Sequence, residues 1–244
     1  MTTDPQYRPL LDDVALNAPE SNAVLDGLVT GEIKVLRLFE CDPTLFAQIK
    51  QEAFGLVAAQ QGQPVGADHP TTVYVRSFDP SWSVKPDSIQ QYSLYNSAND
   101  LLYNDGDHHW QRKDLRFNSR LRAVPEFVRR YLGHSVLQNF RMQCIRGGGD
   151  LGRHREKILG IPGRERQFKL RFHLPVVTNP AVSFTMDDLS FVMEEGWVYL
   201  FNQACTHGVS NEGTELRIHL IFDCYLADDD IVRRLIGPAW RNAA

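Results

Sequence analysis

The 244-residue sequence has no run of apolar residues approaching the roughly 18 that a membrane span requires. Its first residues also lack the basic, apolar, small-residue order of a signal peptide. Both absences lead to the expectation of a cytoplasmic protein with no membrane partner. Cysteine is scarce: Cys41, Cys144, Cys205 and Cys224 are the four present, and none is spaced Cys-x-x-Cys. Three of them lie in apolar, strand-like surroundings, so buried reduced thiols are predicted. Positive charge is not in excess, because 26 Lys and Arg stand against 30 Asp and Glu for a net charge of −4. Nucleic-acid backbones are held by a concentrated cationic surface, so no nucleic-acid partner is expected. The basic stretch Arg112 to Arg130 is a local exception, but its interleaved Leu, Phe and Val mark solvated faces of helices. Internal repeats and low-complexity tracts are missing too.

What is present is an ordinary globular balance, 43% hydrophobic and 23% charged, with enough apolar side chain for a substantial core. The length favours a single compact domain with elaborations. Residues 1–135 read as a helical and loop part packing on a β-rich core at 136–244. Within the first part, Glu32 to Phe39 alternates loosely as a strand. Asp42-Pro43 is an N-cap followed by proline at the first helical position, and Phe46, Ile49, Ala53 and Val57 form one face of a helix ending near Gly62. Thr72 to Val75 has the branched and aromatic content of a strand. Residues 77–112 show little periodicity and read as long loops, which at this length usually cover a site. A second helix starts at Pro125, with Phe127, Val128 and Leu132 inward and Gly133 as its stop. From Val136 the pattern changes to short strands, at 136–146, 167–174, 181–186, 189–193, 197–202 and 216–224, before a last short helix over Ile231 to Ile236. The spacing predicts a mainly β chain, an antiparallel sandwich or barrel with a helical N-terminal half.

Among the eight histidines, His69 and His134 stand alone beside turns, and the adjacent His108 and His109 cannot both point the same way. His154 is different. It opens His154-Arg155-Glu156, which places two ligating side chains on the same side of an extended chain. Alone this means little, since about one His-x-acid triplet is expected by chance at this composition. Its weight comes from His207, about fifty residues on, after the strand-like run Trp197 to Phe201. Two histidines and a carboxylate make the facial triad that suits non-haem iron(II) and leaves three metal positions open, though ligand type alone also admits zinc. Ten residues after His207 comes Arg217, on the opposite face of its strand from Ile218 and Leu220, together with His219. Pointed inward, a guanidinium needs a carboxylate partner. The strand Lys169 to Pro175 repeats the design, with Arg171 and His173 on one face. A 2-oxo acid filling two iron positions has carboxylates for which Arg217, Arg171 and His173 are suitable partners.

Taken as a set, RHRE around His154 and Glu156, LRFHLPV at 170–176, GWVYLFN at 196–202, HGVSN at 207–211 and RIHLIFD at 217–223 resemble the aspartyl/asparaginyl beta-hydroxylase family. That family includes bacterial oxygenases of free proline and other amino acids. The resemblance covers Gln138 to Leu226 and implies a double-stranded β-helix, a jelly roll of the cupin-like kind. It implies iron(II) held by His154, Glu156 and His207, and 2-oxoglutarate held at its distal carboxylate by Arg217, with Arg171 and His173 near it. Gln143 falls close to the position of a polar co-substrate residue. The acidic ligand is more often Asp in the family, so Glu156 is a departure.

The expected function is that of an iron(II)- and 2-oxoglutarate-dependent dioxygenase that uses O2 to hydroxylate an unactivated C–H bond. The expected substrate is a small polar molecule such as a free amino acid, with Trp82, Tyr92, Tyr95 or Trp110 as candidate walls. Hydroxylation of an Asp, Asn or other side chain in a peptide or protein is a second reading. A non-redox, cupin-like metal- or ligand-binding module and a zinc hydrolase are others. Oligomeric state is not legible in the sequence.

Overall fold

Alternation of apolar and polar residues along the strands becomes two antiparallel sheets. The computed structural model describes residues 23–61, 74–77, 88–96, 117–132, 137–156, 159–161 and 164–226. The large sheet runs in the order β1 (Val35–Glu40), β10 (Trp197–Phe201), β7 (Arg164–Val177), β12 (Arg217–Leu226), β4 (Leu137–Ile145), β3 (Ile89–Asn96) and β2 (Tyr74–Ser77). A short strand, β6 (Leu159–Ile161), pairs onto β7. The small sheet runs β5 (Gly149–His154), β11 (His207–Asn211), β8 (Val182–Met186) and β9 (Leu189–Phe191). From β4 to β12 the chain crosses repeatedly between the two sheets.

Along β4 and the described side chains of β7 and β12, both faces of the large sheet are buried, for different reasons. On one face, Phe172 of β7, Phe222 of β12 and Phe140 of β4 are in register across three neighbouring strands. Their rings stack, with centroids 5.3 Å apart between Phe172 and Phe222 and 5.1 Å between Phe222 and Phe140. Truncating such a buried ring to alanine typically costs about 3–5 kcal/mol. Leu170, Leu174, Ile218 and Leu220 extend this apolar face, and helices cover it. The helices are α1 (Ala23–Thr30), α2 (Pro43–Gln60) and α3 (Ala123–Phe127), the last continuing as a π-helical turn over Val128–Leu132. Asp42 caps α2 by accepting from the Leu45 amide at 2.9 Å, with Pro43 in the first turn. Glu52 of α2 in turn accepts from the amides of Ala123 at 2.8 Å and Val124 at 3.1 Å, so one helix satisfies the otherwise orphaned donors of the next. The other face of the sheet looks toward the small one. Period two sends Arg141 and Gln143, Arg171 and His173, and Arg217, His219 and Asp223 to that side.

Several sequence expectations change here. The region 77–112 is not all loop, because Ile89–Asn96 forms β3 inside the large sheet. Its Gln91 and Ser93 are buried yet polar, so the segment does not read as a conventional half-solvated strand. Tyr92 is fully buried in the helix-side core and Tyr95 stacks on Phe117, so neither is a substrate wall; Trp82 and Trp110 lie outside the described residues. Among the described residues the N-terminal half holds strands as well as helices, contributing β1, β2 and β3 to both edges of the large sheet. The buried face of α2 centres on Leu45, Ile49, Ala53 and Leu56, with Phe46 and Val57 only partly covered. The strand expected at Thr72 begins at Tyr74, and the helix expected from Pro125 begins at Ala123. Strands β5, β6 and β11 were not anticipated as strands. Of the basic stretch, Arg129 and Arg130 are exposed in the helical segment and Arg120 and Arg122 just before it, while Leu121, Val124 and Phe127 are buried; residues 112–116 lie outside the described residues. All four cysteines are free and buried. Among the described residues no helix is long and apolar enough to cross a membrane. His69, His108, His109, His134, Gly133 and the helix expected over Ile231 to Ile236 lie outside the described residues.

Candidate functional site

His154 ends β5 and His207 begins β11, and strand pairing sets these two residues opposite each other. Their ring centroids are 4.4 Å apart. Small residues permit the close approach: a Cβ on Gly208 would sit 3.0 Å from the Leu151 carbonyl oxygen. The turn before His207 is anchored by Asp187, whose carboxylate accepts from the Thr206 amide at 3.0 Å while its own amide donates to the Thr206 carbonyl at 2.7 Å. Each imidazole places Nδ1 2.8 Å from a backbone carbonyl two residues earlier, that of Gly152 for His154 and that of Cys205 for His207. A carbonyl only accepts, so Nδ1 carries the hydrogen and Nε2 presents its lone pair as the ligand atom.

Glu156 completes the cluster. Its amide donates to the Gln203 carbonyl at 2.8 Å, and one carboxylate oxygen lies 3.9 Å from His154 Nε2. Ligand atoms of His154, Glu156 and His207 all lie within 4.8 Å of one another, with His207 buried and the other two partly open. The donor set fits a divalent first-row metal: two imidazole nitrogens and one carboxylate oxygen lie close enough together to share one ion. Burial pushes the His207 imidazole down to about 4, so it is an unprotonated ligand at neutral pH. Burial works against ionisation of Glu156, but the adjacent Arg171 guanidinium outweighs it and holds the carboxyl below its ordinary value.

Deeper between the sheets lies a group of buried basic side chains, Arg217, His173 and His219. Arg217 is fully buried; its Nη1 donates to Gln143 Oε1 at 2.8 Å, and its guanidinium carbon lies 5.0 Å from the centre of the Phe184 ring. Its Nε and Nη2 have no hydrogen-bond partner. Burial pulls this guanidinium down to about 9, still charged at neutral pH. His173 and His219 approach through Nδ1 at 3.4 Å, and the Nε2 of each is buried without a partner. Burial first, then the charge of Arg217, holds both imidazoles neutral. Between two neutral rings one Nδ1 must donate and the other accept, so one Nε2 is a donor and the other an acceptor. His173 and Phe201 link the two regions, with ring centroids 4.7 Å apart and Phe201 in turn 4.9 Å from His207.

Arg171 is placed differently from Arg217. Its Nε donates to Asp223 Oδ1 at 3.0 Å and its Nη2 to Oδ2 at 3.4 Å, while its Nη1 contacts Glu156 Oε1. Asp223 is also held by Arg141 at 3.2 Å, Asn139 at 3.0 Å and, more loosely, Lys169 at 4.0 Å. Burial disfavours the Asp223 carboxylate, but Arg171, Arg141 and Lys169 keep it ionised well below the usual range. Sequence reasoning assigned no role to Arg141, Lys169, Asp223, His219 or Phe184. For the first four the signal was available, since each shares a period-two face with an assigned residue.

These buried imidazoles lead to the expectation that the metal-free protein loses stability in acid. His173, His207 and His219 are held below the imidazole value of 6.5 at which the unfolded chain takes up protons. Stability is therefore full above pH 6.5 and falls as pH drops below it, down to about 4 in the case of His207. Between pH 7.5 and 5.5 the expected loss is on the order of 1 kcal/mol for each such imidazole. Urea unfolding at the two pH values measures it, and an unchanged midpoint would mean that these rings are not buried in the neutral form.

No curated protein sequence matches this chain. Solved structures with similarity include a Pseudomonas putida prolyl-4-hydroxylase at 11% identity, covering 84% of this chain and 97% of that one with a TM-score of 0.45. A viral collagen prolyl hydroxylase from Paramecium bursaria Chlorella virus-1 matches at 8% identity over 43% of this chain and 68% of that one, with a TM-score of 0.30. A cupin-2 domain from Rhodospirillum rubrum matches at 8% identity over 64% and 71%, with a TM-score of 0.34. The sequence profile of the aspartyl/asparaginyl beta-hydroxylases matches residues 88–226, a span that contains both ligand strands and the Arg217 strand. That span is more than half of the chain, which therefore belongs to the aspartyl/asparaginyl beta-hydroxylase family.

Proposed function

We propose that this protein is an iron(II)- and 2-oxoglutarate-dependent oxygenase that hydroxylates an unactivated C–H bond of a small polar molecule such as a free amino acid. The carrying observation is a fully buried guanidinium with two unpartnered nitrogens in the same inter-sheet space as a His-Glu-His cluster. A buried cation without a carboxylate is costly, and a dicarboxylate that chelates a metal at one end and meets Arg217 at the other relieves that cost. The alternation of strands between the two sheets accords with a double-stranded β-helix, which brings both ends of such a ligand under one roof.

His154, Glu156 and His207 would hold the iron and leave three positions open. Iron held there supplies redox chemistry with dioxygen, coupled to conversion of 2-oxoglutarate to succinate and carbon dioxide. The remaining work belongs to the chain. Arg217 pairs with the far carboxylate in two parallel hydrogen bonds, and Gln143 fixes the guanidinium plane from the side. Whichever of His173 and His219 carries hydrogen on Nε2 donates a further bond to the same ligand. Phe184 and Phe201 exclude water, which strengthens each of these contacts. A zinc hydrolase would leave Arg217 unexplained. Neither a nucleic-acid nor a membrane partner is needed.

A screen of free amino acids with iron(II), 2-oxoglutarate and ascorbate tests function and substrate together. Substrate-stimulated succinate release is expected with at least one small polar compound. Stimulation by Asp- or Asn-containing peptides alone would move the substrate to proteins, and no 2-oxoglutarate consumption with any candidate would leave a non-redox cupin-like binding module.

A further inference from the structure

We propose that Arg171 is a positioning residue of the metal centre: clamped by Asp223, it aims the Glu156 carboxylate at the two histidines. This rests on the reading of His154, Glu156 and His207 as metal ligands and adds a member to that centre. Glu156 lies beyond the end of β5 with 37% of its side chain exposed, so a long and mobile side chain has solvent open to it. Arg171 opposes that freedom, because its Nη1 contacts Glu156 Oε1, the oxygen that lies 3.9 Å from His154 Nε2. Arg171 itself has little room to move. Its other two nitrogens are taken by Asp223, which Arg141 and Asn139 hold in turn. Three strands, β4, β7 and β12, thus determine where one carboxylate points. With all three nitrogens engaged by carboxylates, Arg171 is poorly placed to be the main anion receptor, a role that suits the two unpartnered nitrogens of Arg217.

Two physical effects of Arg171 on metal binding have opposite signs, and that makes the proposal testable. As a nearby positive charge it repels a divalent ion, so its removal would tighten binding. As the residue that orients a ligand, its removal would loosen binding, by roughly 10–100-fold for an outer-shell partner. Cobalt(II) alone, titrated into metal-free protein, reads both affinity and, through its visible absorption, coordination. The R171Q variant leaves Arg141 and Lys169 against Asp223 and Glu156, a balanced set that favours retention of the fold. We expect R171Q to weaken cobalt(II) binding at least tenfold, E156A to weaken it by at least as much, and the double variant to be no weaker than E156A. Such non-additivity is the mark of two residues acting through one contact. Should R171Q not fold, R171K keeps the charge without the planar fork that spans Asp223 and Glu156, and positioning predicts the same weakening where charge alone predicts none. Unchanged or tighter cobalt(II) binding in the folded arginine variant, or additive losses in the double variant, overturns the proposal. Wild-type protein that does not bind cobalt(II), or binds it no better than the His207→Ala variant, overturns the metal centre itself.

Discussion

Replacing His207 by alanine is expected to weaken divalent-metal binding on the order of a hundredfold or more and, on the proposed function, to remove substrate-dependent succinate formation at micromolar metal. The imidazole is buried, its Nδ1 is committed to the Cys205 carbonyl, and its Nε2 converges with His154 and Glu156. No other His, Cys, Asp or Glu joins these three among the described residues, so none stands ready to replace a missing ligand. Structural zinc binds with about 10–16 kcal/mol over four ligands, which puts one ligand at roughly 3 kcal/mol, on the order of a hundredfold in affinity or more. A two-ligand remnant therefore loads poorly at micromolar metal. The ring also packs on Phe201, so unfolding of the metal-free variant is measured alongside, to separate loss of ligand from loss of fold. His154→Ala is the companion experiment. That side chain is 28% exposed, and truncating it disturbs the core less. Turnover of 2-oxoglutarate retained in either folded variant would remove the metal centre from these residues.

The second large effect is a split in sign at Arg217. Arg217→Met is expected to weaken 2-oxoglutarate binding by about 2–5 kcal/mol, or about thirtyfold to several thousandfold, because it deletes the cation that meets a buried carboxylate. The same change is expected to stabilise the ligand-free protein by about 1–3 kcal/mol. In that state the guanidinium is fully buried and unpaired at two nitrogens, whereas methionine fills similar space without a charge to desolvate. Gln143 loses its partner in the variant, which offsets part of the gain. Denaturant unfolding with and without 2-oxoglutarate separates the two: the variant starts higher and gains less from the ligand. A variant less stable than wild type when ligand-free, yet still stabilised by 2-oxoglutarate, would show that Arg217 is a structural cation and not a receptor.

The parts of the site that were legible in the chain are those that depend on local spacing. His154 and Glu156 are two apart, and the faces of β7 and β12 follow from alternation, so candidates for ligands and co-substrate contacts could be named from residues alone. Strands β5 and β11, which carry the two histidines, were not recognised, although they hold the ligands in register. Both are short and contain glycine, Gly149 and Gly152 in one and Gly208 in the other, and glycine reads as turn. They are strands because each pairs with the other and because Gly208 allows the close approach. Strand β3 was hidden for a related reason, since Gln91 and Ser93 are polar residues facing a polar interior.

Read alone, then, the sequence names the candidate metal ligands and their spacing, and shows that polar and apolar residues alternate along the strands bearing Arg171 and Arg217. It could not determine what each face meets. Alternation usually separates core from solvent, but here helices cover one face and a second sheet the other, so the polar face is as buried as the apolar one. That Arg171 engages Glu156 and Asp223 while Arg217 keeps two nitrogens without partners is visible in the folded arrangement alone. Those pairings join residues 15 and 52 positions apart in the chain. Local spacing carries no information about them, because they are fixed by which strands lie side by side.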